Sequence, residues 1–271
     1  MTSAMTAATD PMRDSLTMLR RNLRRMQRYP SLTLMLLGQP ILFLLLFVYV
    51  FGGTLGNGLG SAAAAGTAGR EAYLGFVTPT ILIITITGAI LGTAISVAMD
   101  KTQGTMARFR TMSISKASVL TGHVIGTVIQ TAIGLTVVLG VAFLVGFRAS
   151  AGPLEWLAVI GLLLLITLGL TWMAVALGMN AKSVETASNT PMIFTLLPFL
   201  GSGFVPNDSL PGWLRWFAEY QPFTPMIKTV RGLLLGTPVG GTWLLAVGWS
   251  VLFAVVGYAW SKSLFGKQRN G

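Results

Sequence analysis

The lysines and arginines of this chain are sorted by position. Of nineteen, fourteen fall in four short stretches: 13–28, 101–116, Lys182 alone, and 262–269. Six apolar runs separate these stretches. If each run crosses a bilayer once, all four stretches emerge on the same side, as the Lys/Arg-rich cytoplasmic loops of membrane proteins do. The other five (Arg70, Arg148, Arg215, Lys228 and Arg231) fall in the opposing loops, beside Glu71, Glu155, Asp208 and Glu219. The pattern predicts an all-α polytopic membrane protein with six transmembrane helices and both termini cytoplasmic.

Composition agrees. Hydrophobic residues make up 53% of the 271, charged residues only 10%, and mean hydropathy is +0.71, whereas soluble domains carry about 25% charge. Charge-free windows at 31–51, 73–99, 119–147, 156–179, 186–205 and 243–260 are long enough for roughly 30 Å of hydrocarbon. The net charge of +11 lies beside apolar runs, which fits anionic inner-leaflet lipid rather than nucleic acid. With no cysteine, disulfides, thiolate metal sites and cysteine nucleophiles are excluded. The basic stretch before the first run is too long for a cleaved leader, so that run reads as a retained anchor.

Residues 1–11 are small and polar and read as disordered. In 12–29, Met12, Leu16, Leu19, Leu23 and Met26 share one narrow face, with Arg13, Arg20, Arg21, Arg24, Arg25 and Arg28 opposite. Such a helix lies in the interface, arginines among the head groups. The remainder, 30–271, forms the six-span domain. Gln39-Pro40 predicts a kink, and the Gly/Ala-rich stretch 52–72 a flexible connector. Gly88 with Gly92, and Gly122 with Gly126, allow close helix packing.

Two segments carry function. In loop 100–117, Asp100 and Lys101 leave the span, Gly104 turns the chain, and Met106 to Arg110 forms a turn showing Phe109 between Arg108 and Arg110. This is either a solvated basic loop or a plug for a pocket on another protein. In 206–238, Pro206, Pro211, Pro222 and Pro225 forbid one continuous helix. Leu210, Trp213, Leu214, Trp216 and Phe217 form an aromatic patch that reads as an interfacial anchor or an external gate. Residues 223–236 read as a second re-entrant or interfacial helix.

Other chemistries are missing. No phosphate-binding loop exists: the one Gly-Lys pair, Gly266–Lys267, is followed by Gln268. All eight acids lie in termini, loops or span ends, which argues against a proton-driven carrier. His123 is the sole histidine, so a two-histidine zinc motif is impossible; Ser202, its best nucleophilic partner, falls near the opposite face. An ion-coupled secondary exporter and an intramembrane enzyme are the competing readings.

In their order, Tyr29-Pro30, Gln39-Pro40, Asp100-Lys101-x-x-Gly104 with Arg108-Phe109-Arg110, Ser113-Ile114-Ser115, 198–206, Leu210-Pro211-x-Trp213-Leu214, Gln221-Pro222 and Arg231-Gly232-Leu233 resemble the permease subunit of type-2 ABC exporters, particularly the daunorubicin-resistance-like permeases. The resemblance covers essentially the whole chain. It implies two cytoplasmic ABC ATPase subunits that bind ATP and Mg, no cofactor in this chain, and a second permease, identical or paralogous. It also implies that 100–110 is the coupling helix, that 12–29 is the connecting helix, and that the segments after span five close the outer end. The cargo would be amphipathic or lipophilic (a drug, lipid or glycolipid), exported across a bacterial inner membrane.

Overall fold

In the computed structural model, residues 30–59, 68–103, 116–206 and 210–267 are described. The 12–29 helix with its five candidate arginines (Arg20, Arg21, Arg24, Arg25, Arg28), the 1–11 tail, and Gly104, Met106, Arg108, Phe109 and Arg110 lie outside them. Every regular element among the described residues is helical, and five helices are long and apolar enough to cross a membrane.

The first pass begins with α1 (Pro30–Leu46), continues through a π-helical turn at Phe47–Phe51, and ends in α2 (Gly52–Asn57). The start of the expected flexible connector is therefore helical. Gly56 lies so close to the Gly69 backbone that a Cβ would collide with it, and this contact secures a glycine-rich turn of low intrinsic helix propensity.

α3 (Gly69–Thr102) is the central element, packed against the first pass and against α4 (Lys116–Val145) and α5 (Pro153–Asn180). Its 34 residues extend about 51 Å at 1.5 Å per residue, well beyond the hydrocarbon. Buried side chains surround it: Tyr73, Phe76, Val77, Ile81, Ile83, Ile86 and Ile90 are all nearly inaccessible. Pro79 sits inside α3 without ending it.

α5 makes the most extensive helix contact in the fold, with the final helix α10 (Thr242–Lys267). Small residues form the seam. Gly169 approaches the Ser250 carbonyl, and Gly257 meets the backbone of Trp172 and Met173. Without a hydrophobic drive between helices in lipid, such close approach supplies the dispersion that holds them.

The 186–205 window departs from expectation. It is not one helix but three short pieces: α6 (Val184–Asn189), α7 (Met192–Leu196) and a 3-10 turn at Leu197–Leu200, followed by turns to Phe204. Pro191 and Pro198 withhold the N–H groups that continuity needs. The segment nevertheless runs along more than half of α3. Ala187 packs with Ala98 and Ala181 at one end, and Gly203 meets Thr80 towards the other. Eighteen helical residues separate Ala98 from Thr80, about 27 Å of axis. The fifth passage in chain order is thus a discontinuous one.

α8 (Gly212–Tyr220) and α9 (Phe223–Leu235) follow at the far end. Gly236 closes α9 at φ +65°, the left-handed conformation that suits glycine, and Ser150 N donates to Leu234 O at 3.0 Å. α10 then returns, placing Leu264 against Val97, Val124, Val175 and Met179. Lys101, Lys182 and Lys262 consequently share one end of the bundle, while Arg70, Arg148, Arg215, Lys228 and Arg231 belong to elements at the other. Among the described residues, the charge sorting in the sequence is a physical separation.

Candidate functional site

Two polar junctions occupy opposite ends of α3. At the loop-side end, Asp100 and Lys101 turn inward. Asp100 Oδ2 lies 3.0 Å from His123 Nε2, and both residues are buried. A carboxylate only accepts, so the imidazole Nε2–H is the donor. The pair exists because α3 and α4 form an antiparallel hairpin; deeper in it, Thr93 and Thr127 hydroxyls meet at 2.7 Å. Lys101 Nζ donates to Met179 O at 2.7 Å and Ala181 O at 2.8 Å. It thereby caps the C-terminus of α5, where carbonyls lack intrahelical donors and a cation is favoured. Ser183 then accepts from Thr186 N at 3.2 Å and starts α6. Just before the loop that the sequence marks for docking, three helices and the start of the broken pass are thus tied together.

At the other end the broken pass is held through its backbone. Arg231 on α9 donates from Nε to Phe76 O at 3.0 Å, and from Nη2 to Ser202 O at 2.8 Å and Gly203 O at 3.4 Å. Its guanidinium lies 3.6 Å from the centre of the Phe76 ring, a cation–π contact that strengthens where water is excluded. Phe76 precedes Pro79 by one turn, the stretch where a proline disturbs the carbonyl ladder; Arg231 and the Thr78 hydroxyl, which donates to Leu74 O at 2.7 Å, serve that turn. Thr80 Oγ1 donates to Gly203 O at 2.7 Å, and Tyr73 OH to Phe204 O at 3.2 Å. Gln221 Nε2 reaches Leu197 O at 3.0 Å. Four side chains, from α3, α9 and the α8–α9 turn, therefore satisfy carbonyls that the absent helix would have used, as backbone inside a membrane requires.

Rings pack beside this junction. Phe204 stacks on Phe47 at 4.2 Å and on Phe199 at 4.8 Å, joining the π-helical turn of the first pass to the broken one. The residues expected to form an external gate or an interfacial anchor differ in exposure. Pro206, Leu210 and Pro222 are half-buried, whereas Trp213 and Trp216 are 76% and 68% exposed, with Phe217 and Tyr220 also open. The aromatic face of α8 points away from the junction. Sequence reasoning passed over Arg231, Tyr73 and Thr80 as site residues; it placed Ser202 near the face opposite His123, and Ser202 lies at the opposite junction. The available signal was an arginine within an otherwise apolar segment.

No His, Cys, Asp or Glu group able to hold a metal is present among the described residues. The geometry defines a polytopic helical membrane protein whose broken pass is braced against a central rod.

Residues 14–235 match the ABC-2 type transporter family, and the chain belongs to it. It is 30% identical over 233 residues to a daunorubicin resistance ABC transporter permease protein of Streptomyces coeruleorubidus, covering 84% of this chain and 77% of that one. A probable doxorubicin resistance ABC transporter permease protein of Mycobacterium tuberculosis is 25% identical over 177 residues, 64% of each chain. A probable multidrug ABC transporter permease of Escherichia coli is 25% identical over 166 residues, 58% of this chain and 44% of that one. The protein is the permease subunit of an ATP-driven ABC exporter.

Proposed function

We infer that this permease moves amphipathic or lipophilic compounds out of the cell, daunorubicin-like drugs being the first class to try, with energy from separate ATPase subunits. The complex would hold two cytoplasmic ATPases, which bind ATP and Mg, and a second permease. This chain supplies no ATPase site, and its termini and the 100–117 loop face the cytoplasm. The 100–110 segment, with Phe109 between Arg108 and Arg110 in sequence, docks on the ATPase.

The observation that carries this reading is the junction of Asp100, His123, Lys101 and the α5 end. A push on the loop meets α3, α4 and α5 at once rather than a single pliable helix. Against an ion-coupled carrier stands the other junction. Carriers of that kind coordinate sodium with carbonyls of broken helices, and here a tethered cation, Arg231, already takes two such carbonyls, those of Ser202 and Gly203.

The test is co-purification in mild detergent with the cognate ATPase, followed by daunorubicin uptake into inside-out vesicles. Phe109→Ala should abolish ATP-dependent uptake while leaving membrane insertion intact. Uptake by the wild-type permease without any ATPase would reject the reading. Asp100→Ala is the less clean variant, because Asp100 also holds His123.

A further inference from the structure

We propose that Arg231 is a positioning residue that makes α3 and the broken fifth pass a single mechanical body, carrying movement from the loop-side junction to the far one. The inference rests on the permease reading above and deepens it by naming the part that transmits.

The argument is one of attachment. A segment broken by Pro191 and Pro198 has few backbone bonds along its own axis, so it cannot transmit a push by itself. α3 is a continuous rod, and the broken segment is fastened to it at both ends. At the near end Ala187 of α6 packs with Ala98 of α3 and Ala181, beside Lys101, which binds the carbonyls of Met179 and Ala181 at the end of α5. Arg231 binds Ser202 and Gly203 on the broken pass and Phe76 on α3 with one guanidinium.

The planar fork is what the task requires. Its divergent N–H groups span two chain segments while the flat face lies on Phe76; a lysine ammonium offers one point charge and no face to stack. Thr80 and Tyr73 add one bond each between α3 and the same turn. Because Arg231 itself stands on α9, displacement of α3 also draws α9 and the adjoining α8, with its exposed tryptophans.

Hydrogen–deuterium exchange on the complex with its ATPase tests this, comparing nucleotide-free with ATP–vanadate-trapped states. In the wild type, exchange should change both at the 97–103 end of α3 and at 199–206. In Arg231→Gln the response at 97–103 should persist while that at 199–206 falls at least threefold, with Arg231→Lys intermediate. An undiminished far-end response in Arg231→Gln overturns the proposal, as does a wild-type response confined to 97–103. No nucleotide response at either end of the wild type instead overturns the ATPase-driven reading itself. If Arg231→Gln fails to fold, the pair Tyr73→Phe with Thr80→Val keeps the guanidinium, and the far-end response should then be reduced but present; its complete loss would assign the coupling to the hydroxyls and overturn the role of Arg231.

Discussion

Gly257→Ala probes the α5–α10 seam with a single methyl group. In place, its Cβ would stand 2.5 Å from Met173 N, 2.6 Å from the Trp172 carbonyl carbon and 2.9 Å from Trp172 O. All three are backbone atoms of α5, so no side chain can swing aside, and α10 must retreat by about 0.5–0.9 Å. A gap of that size forfeits about a quarter to a half of the dispersion in each contact it opens, and overpacking of this kind costs about 1–3 kcal/mol. Restricting the unfolded chain returns about 0.4–1 kcal/mol. The net loss is about 1–2 kcal/mol, roughly a 5- to 30-fold fall in the folded-to-unfolded ratio. Gly248 on the same helix is exposed and would have nothing within 4 Å of its Cβ; Gly248→Ala should therefore stabilise by about 0.4–1 kcal/mol. Unfolding by SDS titration in mixed micelles, followed by circular dichroism, measures both. Equal or greater stability of Gly257→Ala, or an equal loss in Gly248→Ala, would refute the packing argument. Gly169→Ala confronts the Ser250 carbonyl on the same seam, so the double variant should lose less than the two singles together.

Lys101→Met should cost about 1.5–3 kcal/mol, the range for hydrogen bonds to a charged group, and speed amide exchange across 179–187; exchange unchanged there would mean the cap is not made in the membrane. His123→Leu, which removes one donor from a buried carboxylate, should cost about 1.5–3 kcal/mol, whereas Asp100→Asn, which keeps an acceptor oxygen, should cost about 1 kcal/mol. Equal losses in the same titration would reject Nε2 as the donor.

The passes were legible because hydropathy and charge alternate on the scale of a bilayer, and neither depends on contacts distant in sequence. Averaging over a window is also why 186–205 reads as an ordinary span: its side chains are apolar whether or not its backbone is continuous. Pro191 and Pro198 announced the breaks, yet apolarity outweighed them. The Asp100–His123 pair was within reach, since a short connection places the ends of α3 and α4 side by side. Arg231 was harder. Its charge assigned it correctly to the far end, but its acceptors are main-chain carbonyls of Phe76, Ser202 and Gly203, which no residue type reveals. The aromatic residues of α8 were visible in sequence as a patch; which way the patch faces follows only from how Ala218 is buried beneath it.

The discontinuous pass also bears on how the protein is made. Released alone into hydrocarbon, its bare carbonyls would find no donors, and the groups that serve them belong to α3, already synthesised, and to Gln221 and Arg231, still to come. The nascent segment must therefore linger beside α3 at the insertion machinery until roughly thirty further residues have emerged. Biogenesis of this chain has a built-in waiting step, and truncation just after residue 206 should leave a polypeptide that is inserted but rapidly degraded.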